Sequence, residues 1–230
     1  MKGVIVKKSG INGEKPMTFT IESTTDFICP WCLVVDKRLN QAIEQLKAPV
    51  KIQRLWYPFE LNPTMPEAGM NRKTYRSNKF GSWEYSQTLD AQTMQAAKND
   101  GIEFRYDLMA ITPNTLKAHR LSWFAEQKGK ATEMVERILN AYFTQGHDIT
   151  DVETLVKLAV EVGLNANNVR AFLTSHEGVE EVKALEAQAA SRNIRGVPSI
   201  KIGTETIVGA QSVEVFLAAL ETAVSKLEVA

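Results

Sequence analysis

At residues 18–22 apolar and polar side chains alternate, with Phe19 and Ile21 on one side, and this predicts a strand. The rhythm then changes. Cys32, Val35, Leu39, Ala42, Ile43 and Leu46 recur in steps of three and four, which puts them on one face of a helix running to about Lys47. Pro49 stops that helix, and residues 50–57 read as a second strand. Between Pro58 and Gly81 no period survives; Pro63, Pro66 and Gly69 predict a long irregular connection. From about Ser82 to His176 the pattern is helical. Met134, Val135, Ile138, Leu139 and Tyr142 form one stripe. Thr112-Pro113 reads as a cap followed by a first-turn proline, and Thr150 with Glu153 reads as a capping box. Gly129, Gly146 and Gly163 fall where helices end. A further helix over 177–193 precedes a hairpin of strands 199–202 and 205–208 with a Gly203-Thr204 turn. Val213, Phe216, Leu217, Leu220 and Val224 mark a closing amphipathic helix.

The order is β-α-β, a helical block, α, then β-β-α. Without the block, this is the element order of a thioredoxin fold, an α/β architecture. The expected organisation is a discontinuous domain of residues 17–60 and 177–230 around an inserted helical domain of 61–176. Residues 1–16 are polar and glycine-containing and are expected to be a flexible extension, with Met17 an alternative start.

The chain's two cysteines stand three positions apart, in Cys29-Pro30-Trp31-Cys32, between the first strand and its helix. Pro30 suits the first helical position, where its missing N–H costs nothing. Cys29 then lies at the open N-terminal end and Cys32 on the buried stripe. Unpaired N–H groups and the helix macrodipole favour negative charge at that end. Cys29 is therefore expected to be the exposed thiolate nucleophile, and Cys32 the covered thiol that resolves the mixed disulfide. A structural zinc site needs four ligands, whereas the three histidines, His119, His147 and His176, are scattered. Two inert buried thiols are the plainer alternative.

Composition narrows the classes. With 44% hydrophobic and 23% charged residues and a formal net charge of zero, the chain is ordinary globular material with no bulk signal for nucleic acid or anionic membrane. No apolar run approaches the ~18 residues that span a bilayer. Gly3-Val4-Ile5-Val6 is shorter than the roughly 7–15 apolar residues of a secretory signal. The expected compartment is the cytoplasm, where a Cys-x-x-Cys pair is catalytic or redox-sensing rather than structural.

Pro198 opens a predicted strand, a position that tolerates the missing donor. With the upstream motif, a sharper reading is a cis Val197-Pro198 bond against the Cys29 sulfur, leaving the Val197 backbone available to a substrate chain. Asp26, three residues before Cys29, is a candidate base or tuning group, or a turn cap. His119 and Asn114 are read on one helix of the insertion, facing the cleft; a hydrogen-bonded structural histidine is the alternative. Trp31, Trp56 and Phe59 are candidates to line a peptide groove, or are simply packed.

These residues together resemble the DsbA-like branch of the thioredoxin superfamily, and within it the cytoplasmic FrnE-like group, the polyketide-biosynthesis-type dithiol–disulfide isomerases. The resemblance runs from Met17 to the end. It rests on Asp26-Phe27-Ile28 before CPWC, Pro58-Phe59-Glu60-Leu61-Asn62-Pro63 with Met65-Pro66, Lys79-Phe80-Gly81, and Pro113-Asn114-Thr115 with Ala118-His119-Arg120. Ala141-Tyr142-Phe143, Gly196-Val197-Pro198 and Gly209-Ala210-Gln211 complete it. The chain departs from the group's pattern at Leu33-Val34-Val35, Ser199 and Val208. The resemblance implies a thiol–disulfide oxidoreductase with Cys29, Cys32 and cis-Pro198 at its centre, shaped by Pro30, Trp31, Val197 and Asp26. Phe59, Asn114 and His119 are candidate substrate contacts. No metal or bound organic cofactor is implied; glutathione or a thioredoxin-type protein would recycle the pair. The expected substrates are proteins or small molecules carrying disulfides or dithiols, and a homodimer is plausible by resemblance. Two other readings follow from the same features. One is a glutathione-dependent isomerase or transferase of the hydroxychromene-carboxylate isomerase or kappa-class type, which typically has serine where Cys29 stands. The other is a chaperone module with incidental thiols.

Overall fold

A computed structural model of the protein describes residues 17–227; the expected 1–16 extension lies outside them. Strand β1 (Met17–Thr25) runs parallel to β2 (Val50–Pro58), with Phe19 opposite Ile52 and Thr25 opposite Pro58. Helix α1 (Pro30–Gln45) makes the crossover. After the insertion, β5 (Ser199–Ile202) pairs antiparallel with β1, and β6 (Glu205–Val208) with β5, so the sheet order is β2-β1-β5-β6. Helix α8 (Val179–Ser191) leads into the hairpin, and α9 (Val213–Leu227) closes the chain against α1. This is a thioredoxin fold, its β-α-β and β-β-α halves sharing one sheet. The hairpin falls at the predicted residues because Gly203, at φ +60°, supplies the left-handed first turn position.

The insertion holds a two-strand ribbon, β3 (Met70–Asn71) with β4 (Ile111–Thr112), and helices α2 (Arg72–Phe80), α3 (Trp83–Ala96), α4 (Leu116–Glu126), α5 (Ala131–Gln145), α6 (Val152–Glu161) and α7 (Ala166–Thr174). Three sequence expectations are corrected here. The supposed loop to Gly81 contains α2. That segment has no apolar stripe, but the Asn71 side chain caps it by accepting from Thr74 N–H, and it packs on α3. Thr112 is a strand residue rather than a cap; α4 begins at Leu116, whose N–H donates to Asn114 Oδ1. The cap of α6 is Asp151, which accepts from Thr154 N–H at 2.8 Å, rather than Thr150.

The burial of α1 also differs from a single stripe. Cys32, Leu33, Val34, Val35 and Asp36 are buried in an unbroken run. Val35, Leu39 and Ala42 pack with the sheet and α9 around Phe216 and Leu220. Cys32, Leu33 and Val34 belong to a second cluster, continuous with the insertion core of Leu121, Met134, Ile138, Leu139 and Phe143. The run Cys-Leu-Val-Val serves both cores, so the Cys29–Cys32 pair lies at the seam between sheet and insertion. Arg38 reinforces that seam, donating to Asp100 and Ala96 C=O at the end of α3 and to Ala210 and Gln211 C=O after β6. Among the described residues no helix is long and apolar enough to cross a membrane.

Candidate active site

β1 ends at Thr25, and a short turn, closed by Cys29 N–H donating to Asp26 C=O at 3.2 Å, delivers Cys29 to the N-cap of α1. Pro30 occupies the first turn, which contains no acidic side chain. Nothing there competes for the helix's positive end. Cys32 N–H donates to Cys29 C=O at 3.0 Å, and both cysteines are free thiols. The Val197-Pro198 bond is cis, and Cys29 Sγ donates to Val197 C=O at 3.6 Å. Three segments distant in sequence, residues 26–32, 197–198 and the insertion, thus meet at one sulfur.

Cys29 is less open than expected, only 5% exposed against 3% for Cys32. The insertion and the Val197 loop cover it. The two thiols are distinguished by direction instead. Cys29 forms part of the wall of a cavity of about 250 Å³ and Cys32 does not. Burial pushes the Cys32 thiol well above its ordinary range, and a hydrogen bond and charge repulsion from Cys29 push it further.

Pro30 and Trp31 lie on the cavity wall beside Cys29. Asp26 is fully buried below the motif; its Oδ2 accepts from Leu61 N–H at 2.7 Å, and its Oδ1 lies 3.4 Å from His119 Nε2. Among the described residues neither Oδ1 nor Nε2 has another hydrogen-bond partner. His119 is on α4, its ring 4.8 Å from that of Phe27, and it faces Asp26 rather than the cavity. Asn114 precedes α4 instead of sharing it, and its amide donates to Met65 C=O and accepts from Leu116 N–H. Phe59 pairs through its backbone with Thr25 and is off the cavity wall. Trp56 is held against α5 by its indole N–H on Thr132 Oγ1. Of the three aromatics considered for a groove, the structure brings only Trp31 to the cavity.

The sequence reading assigned no role to the rest of the cavity lining. It includes Arg72, Tyr75, Arg76, Lys79 and Phe80 of α2, Asp90 of α3, and Tyr106, Met109 and Tyr142. A signal existed. Arg72, Arg76 and Lys79 are spaced i, i+4, i+7 and share one face once the segment is helical.

Glu60 was also missed as a titrating group. Burial, then the nearby Glu186 and Asp26 carboxylates, raise its pKa from 4.5 to about 7, while His119 and Lys183 oppose the rise. The sign follows from proton linkage. The folded chain holds a proton that the unfolded chain has released, so stability falls as pH climbs from 4.5 to about 7. Glu60 is half-buried, so after screening by solvent the penalty above that window is about 1 kcal/mol. Glu60→Gln should therefore stabilise the protein by that amount at pH 8 and by nothing at pH 4, as read by urea unfolding. An equal gain at both pH values would contradict this titration.

A dithiol at the start of the first helix, set against a cis-proline loop on a β2-β1-β5-β6 sheet, is an arrangement of the thioredoxin fold. Residues 20–221 match the DSBA-like thioredoxin domain, and the chain belongs to that family of oxidoreductases. It is 30% identical over 202 residues to Bacillus subtilis YwbO, across 87% of this chain and 94% of YwbO. A crystal structure of a probable DsbA oxidoreductase from Streptomyces coelicolor superposes with a TM-score of 0.82 at 29% identity, over 90% of each chain. The cytosolic disulfide reductase DsbM of Pseudomonas aeruginosa, solved with GSH, shares the fold with a TM-score of 0.61 at 17% identity, over 91% of this chain and 98% of that one.

Proposed function

We propose that this chain is a FrnE-like dithiol–disulfide oxidoreductase whose catalytic pair is Cys29 and Cys32. The observation that carries the reading is the asymmetry of the two thiols: Cys29 opens onto the cavity from a helix N-cap, and Cys32 is sealed behind it. The Cys29 thiolate attacks one sulfur of a substrate disulfide, the substrate S–S bond breaks, and one thiolate leaves. In that mixed disulfide Cys29 is neutral and no longer bonds to Cys32, which removes two of the three influences holding the Cys32 proton. Cys32 then ionises and attacks Cys29. The internal disulfide forms, the second substrate thiolate leaves, and the two protons end on the two products. Run backwards, the cycle oxidises a dithiol.

The FrnE-like motifs and the cytosolic DsbM neighbour support a reducing compartment, and the GSH held by DsbM supports glutathione as the recycling thiol. The test is a titration in graded glutathione buffers that follows Trp31 fluorescence and intact mass. A loss of two hydrogens with a midpoint between about −270 and −120 mV is expected. A stable glutathione adduct without an internal disulfide would overturn the reading and favour a glutathione-dependent enzyme.

A further inference from the structure

The cavity that Cys29 borders carries an imbalance of charge. Its ionised side chains are Arg72, Arg76, Lys79 and Asp90: three cations and one carboxylate. Asp90 is already divided between two of them, accepting from Arg72 at 2.7 Å and from Arg76 at 2.9 Å. Lys79 has no carboxylate partner among the described residues; its ammonium donates to Tyr75 Oη at 2.8 Å and to Asn62 Oδ1 at 3.3 Å. The other polar groups do not correct the imbalance. Burial raises the Tyr106 and Tyr142 phenols far above neutral pH, so both stay uncharged; Tyr106 Oη is paired with Thr93 Oγ1, and Tyr142 donates to Ile111 C=O. The cations are also set among rings, with Arg72 over Tyr106 and Arg76 over Phe80. Apolar walls of low dielectric concentrate the field of such a group.

The dimensions add a second constraint. A cavity of about 250 Å³ is near the lower end of small-molecule sites. Its lining brings together one sulfur nucleophile, three cations, and the apolar side chains of Trp31, Phe80 and Met109.

We infer, resting on the redox reading above, that the cavity selects low-molecular-weight disulfides bearing a carboxylate. The carboxylate takes the place opposite Lys79 and Arg76 while the disulfide meets Cys29. Electrons balance as in the cycle already given. Each turnover breaks one substrate S–S bond and forms the Cys29–Cys32 disulfide, two electrons pass to the substrate, and two carboxylated thiols leave. A low-molecular-weight dithiol such as dithiothreitol then reduces the enzyme.

The experiment uses the full chain, reduced, at fixed pH and ionic strength. Oxidation of the Cys pair by 3,3′-dithiodipropionate (a dianion), 2-hydroxyethyl disulfide (neutral) and cystamine (a dication) is followed by fluorescence in stopped flow. Each rate is divided by the rate of the same disulfide with free dithiothreitol, which removes intrinsic differences in leaving groups. The normalised preference for the dianion over the neutral disulfide should be about tenfold, the scale of one charge-assisted hydrogen bond. It should fall toward unity in Lys79→Met, be kept in Lys79→Arg, and weaken with added salt. Lys79 is exposed on α2, so the methionine variant should fold. Charge-blind rates in the wild type, or a preference that Lys79→Met does not move, would overturn the inference and leave the redox reading intact. Failure of any disulfide to generate the Cys29–Cys32 bond would overturn the redox reading itself.

Discussion

Cys29→Ser should lose disulfide exchange by on the order of a thousandfold or more, because a serine hydroxyl neither ionises near neutral pH nor forms the mixed disulfide. Cys32→Ser should behave differently. Attack by Cys29 survives, but resolution does not, so the variant should accumulate a covalent adduct with glutathione or substrate that dithiothreitol releases. Intact mass spectrometry after exposure to oxidised glutathione separates the two. An adduct on Cys32 in Cys29→Ser, matching the wild type in rate, would reverse the assigned roles. The structure gives the reason for expecting the asymmetry. Both cysteines are almost fully covered, but only Cys29 borders the cavity, and the Cys32 thiol is held protonated by burial and by its neighbour.

Asp90→Ala should cost about 3 kcal/mol of stability, because it leaves the buried Arg72 guanidinium without its carboxylate and removes the group shared with Arg76. For a chain of this length that corresponds to a fall in Tm of roughly 6–12 °C. The mechanism is an unpaired buried charge rather than a lost bond, and a second variant tests that distinction. Removing the Arg72 charge as well, in Arg72→Met/Asp90→Leu, should recover the part of the loss that comes from the unpaired Arg72, since a buried ion pair exchanged for apolar side chains of similar volume is often neutral. If Asp90→Ala melts with the wild type, the pair is not a structural element of the cavity wall. If the double variant is worse than the single one, packing rather than charge holds α2 against α3.

The elements that fit into the sheet were legible because their signals are local. Alternation at Phe19 and Ile21 marks β1, Pro49 marks the end of the crossover, and Gly203 fixes the hairpin. Helix α2 was not legible. Arg72 to Phe80 has no apolar period, and what makes it helical is a cap at Asn71 together with partners on α3. The caps at Thr112 and Thr150 were misplaced by a few residues for a related reason. Asn114 and Asp151 offer equally good acceptors nearby, and the tertiary path chooses among them.

By itself the sequence determined the Cys-Pro-Trp-Cys pair at a helix start, the identity of the proline that faces it, and the order of elements that brings them onto one sheet. Each follows from spacing along the chain, because the positions of a strand end, a helix cap and a turn depend on neighbouring residues. Only the tertiary structure decided that Cys29 lies under a cover, that Asp26 meets His119 rather than solvent, that Asn114 and Phe59 stay off the cavity, and that three cations line the same cavity as Cys29. Those facts depend on how the insertion packs over α1, and packing between segments about a hundred residues apart is set by summed burial over both cores, which no local period encodes.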